Sequence, residues 1–167
     1  MTPREGMAAR RRIGASAALA RSLGMRPPRA ARFRAVRDGN PPAPLPDFTE
    51  LRRWPLWPRL ADAERNQVFA LIGLLAARDS LAEEIDGGQL RRYAEVVGMP
   101  MLERVLALPA GGDRRLPLPE DLALHGRLLA ERALPPALAA GLGHPPTDRA
   151  GERFVTEAEI LLEEAPA

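Results

Sequence analysis

The chain has 167 residues, of which 46% are hydrophobic and 4% aromatic, and it contains no cysteine. This composition excludes a disulfide framework, a thiolate nucleophile and a cysteine-ligated metal. All 24 basic residues are arginine, and the net charge of +2 divides into +9 for residues 1–37 and −7 for residues 38–167. Alanine and leucine are abundant and strand-forming residues are few, so we predict an all-α fold. We expect a single compact domain of about seven short helices, preceded by a disordered basic tail.

The basic tail, residues 1–37, has no sustained apolar period and buries too little surface to order itself. Arginine-rich sequence of this kind is also what GC-rich DNA upstream of a mis-called start would encode. Two alternatives stay open: an arm that binds nucleic acid or anionic lipid, and a twin-arginine export signal with a short apolar run over 13–20. The candidate nucleic-acid residues are Arg10, Arg11, Arg12, Arg32 and Arg34. No apolar run approaches the roughly 18 residues of a membrane span.

A proline-rich linker over residues 38–47 is expected to separate the tail from a helical domain over 48–167. Two Trp-Pro pairs follow it. Because each tryptophan precedes a proline, Trp54 and Trp57 are both biased toward extended backbone. The indoles either cap the core or form a partner-binding patch.

The first clear helix is predicted over residues 62–79, with Asp62 as its N-cap and apolar residues at helical spacing. It is apolar over most of its surface, so we expect it to be the most buried helix. Ser80 and Glu83 predict a capping box that begins a second, short helix. Asp86-Gly87-Gly88 then ends that helix, and Asp86 caps a third helix that Gly98 ends.

The rest of the chain predicts four further helices. Their expected spans are 100–108, with Pro100 at the first helical position, 119–133, 135–141 and 152–164.

Catalytic, cofactor and metal motifs are lacking. The histidines, His125 and His144, stand 19 residues apart without a metal-ligand spacing. The neighbouring carboxylates Glu83, Glu84 and Asp86 are explained by capping and solvation. We therefore predict no catalytic, metal or cofactor-binding residue and no enzyme activity.

Residues 80–98 have the outline of a helix-turn-helix, with a short helix, a glycine turn and a second helix that carries Gln89, Arg91 and Arg92. The turn glycine is one residue late for the common pattern, and an acidic body would repel phosphates. The alternative is a helical hairpin that covers the helix at 62–79.

The same stretch resembles the cytosolic accessory K-subunit family of type III secretion systems, the adaptor of the sorting platform. The resemblance rests on an apolar helix followed by Ile85-Asp86-Gly87, the pair Leu90-Arg91, and Gly98 at the end of the next helix. The segment Leu124 to Leu138 and the upstream Trp-Pro segment also look like elements of that family. The resemblance covers about residues 54–142 and leaves the basic tail outside.

The resemblance implies a helical, non-enzymatic adaptor on the cytoplasmic face of the inner membrane. It would link the cytoplasmic domain of the membrane-ring subunit to the pod-forming platform subunit. The candidate partner-binding residues are Trp54, Trp57, Asp86, Gly87, Leu90, Arg91 and Arg92. The alternative function is a small nucleic-acid-associated regulator that uses the arginine-rich tail and the segment 80–98.

Overall fold

The computed structural model describes residues 3–25, 46–84, 86–112, 115–144 and 151–164. These residues form nine α-helices and two 3-10 helices, and none of them is in a strand, so the predicted all-α class is confirmed. The α-helices are α1 Pro3–Ser22, α2 Phe48–Arg52, α3 Asp62–Ala76, α4 Arg78–Ala82, α5 Gly87–Val97, α6 Met99–Leu106, α7 Leu122–Arg132, α8 Pro136–Leu142 and α9 Glu152–Glu163. The 3-10 helices are Trp57–Arg59 and Pro119–Asp121.

The chain divides into two compact units, each made of separate stretches of sequence. The first unit comprises Met1–Trp54 and Leu134–Thr147, and the second comprises Pro55–Ala133 and Asp148–Ala167. One boundary between the units lies between Trp54 and Pro55. Of the proline-rich segment 38–47, only residues 46 and 47 are described.

In the first unit, α1 corrects the prediction of a disordered tail over residues 3–25. Alanine and arginine are strong helix formers, and Ser16, Ala17 and Ala20 are buried although they are too small to give an obvious apolar stripe. Residues 26–37 lie outside the described part of the chain. The ordering of α1 thus comes from close packing of small side chains, which a search for large apolar residues does not detect.

The end of α1 is built by Gly24, whose φ of +79° favours glycine. The Gly24 N–H donates to the Arg21 carbonyl and the Met25 N–H to the Ala20 carbonyl, both at 3.0 Å. These bonds satisfy carbonyls that a helix end leaves open. Met25 is buried, and its side chain lies near Gly141 of α8. The cap therefore directs the chain from α1 toward α8 within the first unit.

In the second unit, α3 is the central helix, as expected. Every residue from Val68 to Ala76 is buried, and α3 packs against α7, α9, α4 and α5. The contacts of α4 and α5 with α3 agree with the hairpin interpretation of residues 80–98. Helices α4 and α5 also both pack against α6.

In the second unit, the backbones of α3 and α7 come close together where Gly73 faces Gly126. A Cβ on Gly126 would lie 2.7 Å from the Gly73 nitrogen and would overlap the Phe69 carbonyl oxygen. A Cβ on Gly73 would lie 3.3 Å from the Gly126 nitrogen and would overlap the Leu122 carbonyl oxygen. Real Cβ atoms do not approach backbone atoms this closely, so both positions require glycine.

One predicted N-cap and one predicted helix start were wrong. Helix α3 begins at Asp62 itself and its N-cap is Ala61, whose N–H donates to the Glu64 carboxylate at 3.3 Å. Ser80 does not cap α4, because α4 already begins at Arg78, directly after Ala77 interrupts α3. The sequence signal was ambiguous in both cases because several acidic or hydroxyl residues lie within one turn.

The other boundaries agree with the prediction within a few residues. Asp86 is the N-cap of α5 and Gly98 its C-cap. Pro100 lies in the first turn of α6. The helices predicted over 119–133, 135–141 and 152–164 correspond to the second 3-10 helix with α7, to α8 and to α9.

The glycine contact predicts that Gly126→Ala strongly destabilises the protein. We expect the free energy of unfolding to fall by at least about 3 kcal/mol, since the added methyl overlaps backbone that cannot rotate away. The measurement is urea unfolding followed by circular dichroism. The matched control is Gly87→Ala, because a Cβ there meets nothing within 4 Å, and it should raise stability by about 0.4–1 kcal/mol. Equal unfolding midpoints for the two variants would contradict this assignment.

Candidate protein-interaction surface

The Asp86-Gly87 step serves the local structure of α5. The Asp86 carboxylate accepts a hydrogen bond from the Gly88 N–H at 2.8 Å, and the Asp86 N–H donates to the Glu84 carboxylate at 3.1 Å. Gly87 is the exposed first residue of α5. Leu90 follows on the same helix and is half-buried. These two hydrogen bonds fix the N-terminus of α5. The exposed surface that begins at Gly87 continues along the helix.

Arg91 and Arg92 are both exposed on α5. The Arg92 guanidinium lies 3.4 Å from the Glu120 carboxylate, and both side chains are more than half exposed. A pair of this kind contributes about 0–1 kcal/mol. Such a weak pair leaves the Arg92 guanidinium accessible to a binding partner.

The two tryptophans do not lie on the surface, which corrects their assignment as candidate partner-binding residues. Trp54 and Trp57 are both buried. The Trp57 ring meets the Phe69 ring edge-on, with centroids 5.1 Å apart. In the same segment, the Leu56 N–H donates to the buried Glu159 carboxylate at 2.6 Å. The physical reason is area: in a chain with so few aromatic residues, an indole is the largest apolar group available for burial.

An exposed apolar surface occurs where α5 meets α6. We call Arg92, Val96 and Met99 the corner surface. Val96 lies one turn after Arg92, and its exposed fraction is 37%; that of Met99 is 48%. Between them Gly98, with φ +88°, ends α5 and precedes α6 directly. Val96 and Met99 are thus exposed on either side of Gly98 in the sequence, and Arg92 lies one turn before Val96 on α5.

The corner surface rests on fixed backbone. The Gly98 N–H donates to the Ala94 carbonyl at 2.8 Å, and the Leu102 N–H donates to the Gly98 carbonyl at 3.0 Å. On the same helix, the buried Tyr93 hydroxyl donates to the Pro117 carbonyl at 2.7 Å. Burial, with a smaller contribution from Glu84, raises the pKa of Tyr93. The two helices at the corner are thus held by backbone and side-chain hydrogen bonds.

Sequence reasoning missed Val96 and Met99 as surface residues. The inner face of α5 is formed by Leu90, Tyr93, Ala94 and Val97, of which the structure buries Tyr93 and Ala94 and half-buries the other two. Val96 falls off that face. An apolar residue outside the inner stripe was the signal that could have identified it.

A cleft of about 360 Å³ lies between α4 and α6, next to the loop that follows α6. The Asp79 carboxylate accepts from the Gly111 N–H at 2.9 Å and from the Gly112 N–H at 3.0 Å. The buried Arg78 guanidinium pairs with Glu157 of α9 at 2.5 Å. These charged groups attach the loop and α9 to α4, so they are occupied by structural contacts.

These hydrogen bonds change the acidity of Asp79. The backbone N–H groups of Gly111 and Gly112 stabilise the carboxylate and lower the pKa of Asp79 below its ordinary value, with smaller contributions from Arg78 and Arg153. The ionised form is therefore the one that the folded loop requires.

The candidate nucleic-acid residues of the tail are only partly described. Arg10 and Arg11 are exposed on α1. Arg12 is half-buried, and its guanidinium donates to the Trp54 carbonyl at 3.5 Å. Arg32 and Arg34 lie outside the described residues. Of the five arginines, two are thus placed on an exposed helical surface.

Neither a metal cluster nor a membrane helix occurs in the part of the chain that the structure describes. Within it, no three histidine, aspartate or glutamate side chains are grouped closely enough to hold a metal ion. No helix there has both the length and the apolar content needed to cross a membrane. His125 is exposed on α7, and His144 follows α8.

Comparison with known proteins gives no relative from which a function could be transferred. No family model, no curated protein and no solved structure matches the chain.

The Asp79 contact predicts a pH dependence of stability. Because the folded pKa is lower than the unfolded one, ionised Asp79 stabilises the fold above the ordinary pKa near 3.8, and the contribution is lost as pH falls through the lowered value. Asp79→Asn should therefore be less stable than the parent at pH 7, and the difference should shrink below about pH 4. Thermal unfolding between pH 3 and pH 7 measures it, and a difference independent of pH would contradict the assignment.

Proposed function

We propose that this chain is a non-enzymatic protein–protein adaptor, an accessory component of the cytoplasmic sorting platform of a type III secretion system. The observation that supports the adaptor role is the corner surface of Arg92, Val96 and Met99. Exposed apolar side chains beside an arginine are typical of protein interfaces, in which arginine and methionine are enriched. A fixed backbone at the corner lowers the entropy lost when a partner binds.

The secretion context rests on the resemblance of residues 54–142 to the K-subunit family. Arg92 and Val96 lie on α5. The same helix, with its N-cap, carries the residues on which the resemblance rests most directly: Asp86, Gly87, Leu90 and Arg91. The proposed partners are the cytoplasmic domain of the membrane-ring subunit and the pod-forming platform subunit. The proposed location is the cytoplasm, peripheral to the inner membrane through those partners.

A nucleic-acid-associated regulator is the second candidate function. It is favoured by the two exposed arginines of α1, Arg10 and Arg11. Cationic side chains on one helix can follow a phosphate backbone. On α5, Arg91 and Arg92 would be the corresponding contacts of the helix-turn-helix interpretation.

The corner surface predicts that Val96→Gln with Met99→Gln weakens capture of partner subunits by at least about tenfold, since two apolar side chains at an interface centre carry much of its binding energy. The measurement is affinity purification of the tagged full-length chain from its own cells, with quantitative mass spectrometry of the secretion-apparatus subunits.

The matched control is Ile160→Gln with Leu162→Gln, which replaces two exposed apolar residues of α9. We expect this variant to capture the same subunits as the parent. If both variants capture the secretion-apparatus subunits equally well, the corner surface is not the interface. Failure of the parent to recover any secretion subunit would contradict the adaptor proposal itself.

Binding to labelled duplex DNA separates the two candidate functions. For an adaptor we expect only non-specific affinity, with Kd about 10⁻⁴–10⁻⁶ M at physiological salt. Arg91→Glu with Arg92→Glu should leave this affinity unchanged, and fluorescence anisotropy of the full-length chain measures it. The charge-matched control replaces Arg52 and Arg53 with glutamate. Both of these arginines are exposed, at the end of α2. A Kd below about 10⁻⁷ M that the Arg91, Arg92 variant abolishes would favour the regulator.

A further inference from the structure

Helix α7 carries two exposed leucines on its outer face. The exposed fraction of Leu124 is 56% and that of Leu128 is 53%. They are four residues apart, so they lie one above the other on the helix surface. The inner face of α7 is formed by other residues, Leu122, Gly126 and Leu129. The core therefore does not need the two outer leucines, and they form a ridge along α7.

A small cleft lies beside this ridge. Its volume is about 130 Å³, and its lining includes Gly73 and Ala76 of α3 with Leu128 and Leu129 of α7. For comparison, an engineered apolar cavity of about 150 Å³ takes up benzene. The cleft therefore has room for one large apolar side chain.

The charged residues among those that the structure places in the lining of the cleft are the arginines Arg115 and Arg132. His125 also contributes to the lining, and no carboxylate of the described residues does. The second unit as a whole has the opposite balance, with 12 arginines and 18 acids over residues 55–133 and 148–167. On the adjacent surface of α7, Arg127 is already paired with Glu131 at 2.7 Å. The lining of the cleft is thus positively charged within an acidic unit.

We propose that the ridge of Leu124 and Leu128, together with this cleft, binds an acidic amphipathic helix of another protein. The apolar face of that helix would lie along the ridge and insert one large side chain into the cleft. Its carboxylates would meet Arg115, an exposed residue of the lining. An amphipathic helix in an apolar groove is a recurring mode of recognition, and the charge pattern selects an acidic helix.

Other occupants fit less well. The chain's own segment 26–45 contains five arginines and one acid, so its positive charge would be repelled from the cleft. A second copy could offer α9, but its exposed Ile160 and Leu162 are two residues apart and point to different sides of the helix. Nucleic acid supplies phosphates for the arginines but no apolar side chain for the leucine ridge.

The test uses the full-length chain and two fluorescein-labelled synthetic peptides. Each has about 18 residues, enough to form a helix, with leucine and phenylalanine at i, i+4 spacing. The remaining positions are mainly glutamate in the acidic peptide and lysine in the basic peptide. Fluorescence anisotropy gives the Kd of each peptide at low and at high salt.

We expect the acidic peptide to bind saturably, more weakly at high salt, and the basic peptide to bind at least about tenfold more weakly. Leu124→Gln with Leu128→Gln should weaken binding of the acidic peptide by at least about tenfold. Arg115→Glu should weaken it while leaving circular dichroism unchanged. The control, Ile160→Gln with Leu162→Gln, should bind like the parent.

Absence of saturable binding of the acidic peptide overturns the proposal, as does equal binding of the two peptides. Equal binding by the Leu124, Leu128 variant and the parent also overturns it. Sedimentation provides a further readout: a parent dimer that becomes monomeric in the Leu124, Leu128 variant would show that a second copy covers the ridge. The proposal stands independently of the corner surface, since the two tests use variants on different helices.

Discussion

The second unit depends on the approach of two backbones at Gly73 and Gly126. Side chains normally hold packed helix axes about 8–10 Å apart. Here neither residue has a Cβ, so the carbonyl groups of Phe69 and Leu122 occupy the space that a methyl group would need. Gly151, just before α9, makes a similar approach to the Leu129 carbonyl. Helix α7 is thus contacted by glycine backbone from α3 and from the residue just before α9. The large side chains of α7 are not needed at these two contacts.

This arrangement suits a chain with few aromatic residues. Small residues at the α3–α7 contact let aliphatic side chains fill most of the remaining core, beside a few buried rings such as Trp57 and Phe69. Charged side chains then fix the irregular segments through the backbone: Asp79 holds Gly111 and Gly112, and Glu159 holds Leu56. Asp79 and Glu159 therefore have structural roles. The net negative charge of the second unit does not come from solvated surface residues alone.

Apolar periodicity and turn residues were enough to predict most helices of the second unit. The run from Val68 to Ala76 predicted the central helix, and Asp86 and Gly98 marked the ends of α5. The N-cap assigned to Asp62 and the helix start at Ser80 were wrong, because several acidic or hydroxyl residues lie within one turn of each other.

The sequence could not predict the features that depend on tertiary contacts. The order of α1 comes from burial of Ser16, Ala17 and Ala20, residues too small to give a pattern. The pairing of Gly73 with Gly126 joins positions far apart in sequence, and each glycine alone reads as a weak point in a helix. The candidate interaction surface differs from the predicted one for a related reason. Apolar content pointed to the tryptophans, but packing around them buries them, and the sequence does not show that packing.

The composition of the first unit has a consequence for folding during synthesis. Helices α1 and α2 belong to the same unit as α8, although more than 80 residues separate α2 from α8 in the sequence. The second unit likewise includes α9, which follows α8 in the sequence. Neither unit has all of its helices until the ribosome has made the segment that contains α8 or α9. Folding therefore depends on contacts of high sequence separation, and each unit reaches its native packing only after that segment has been made.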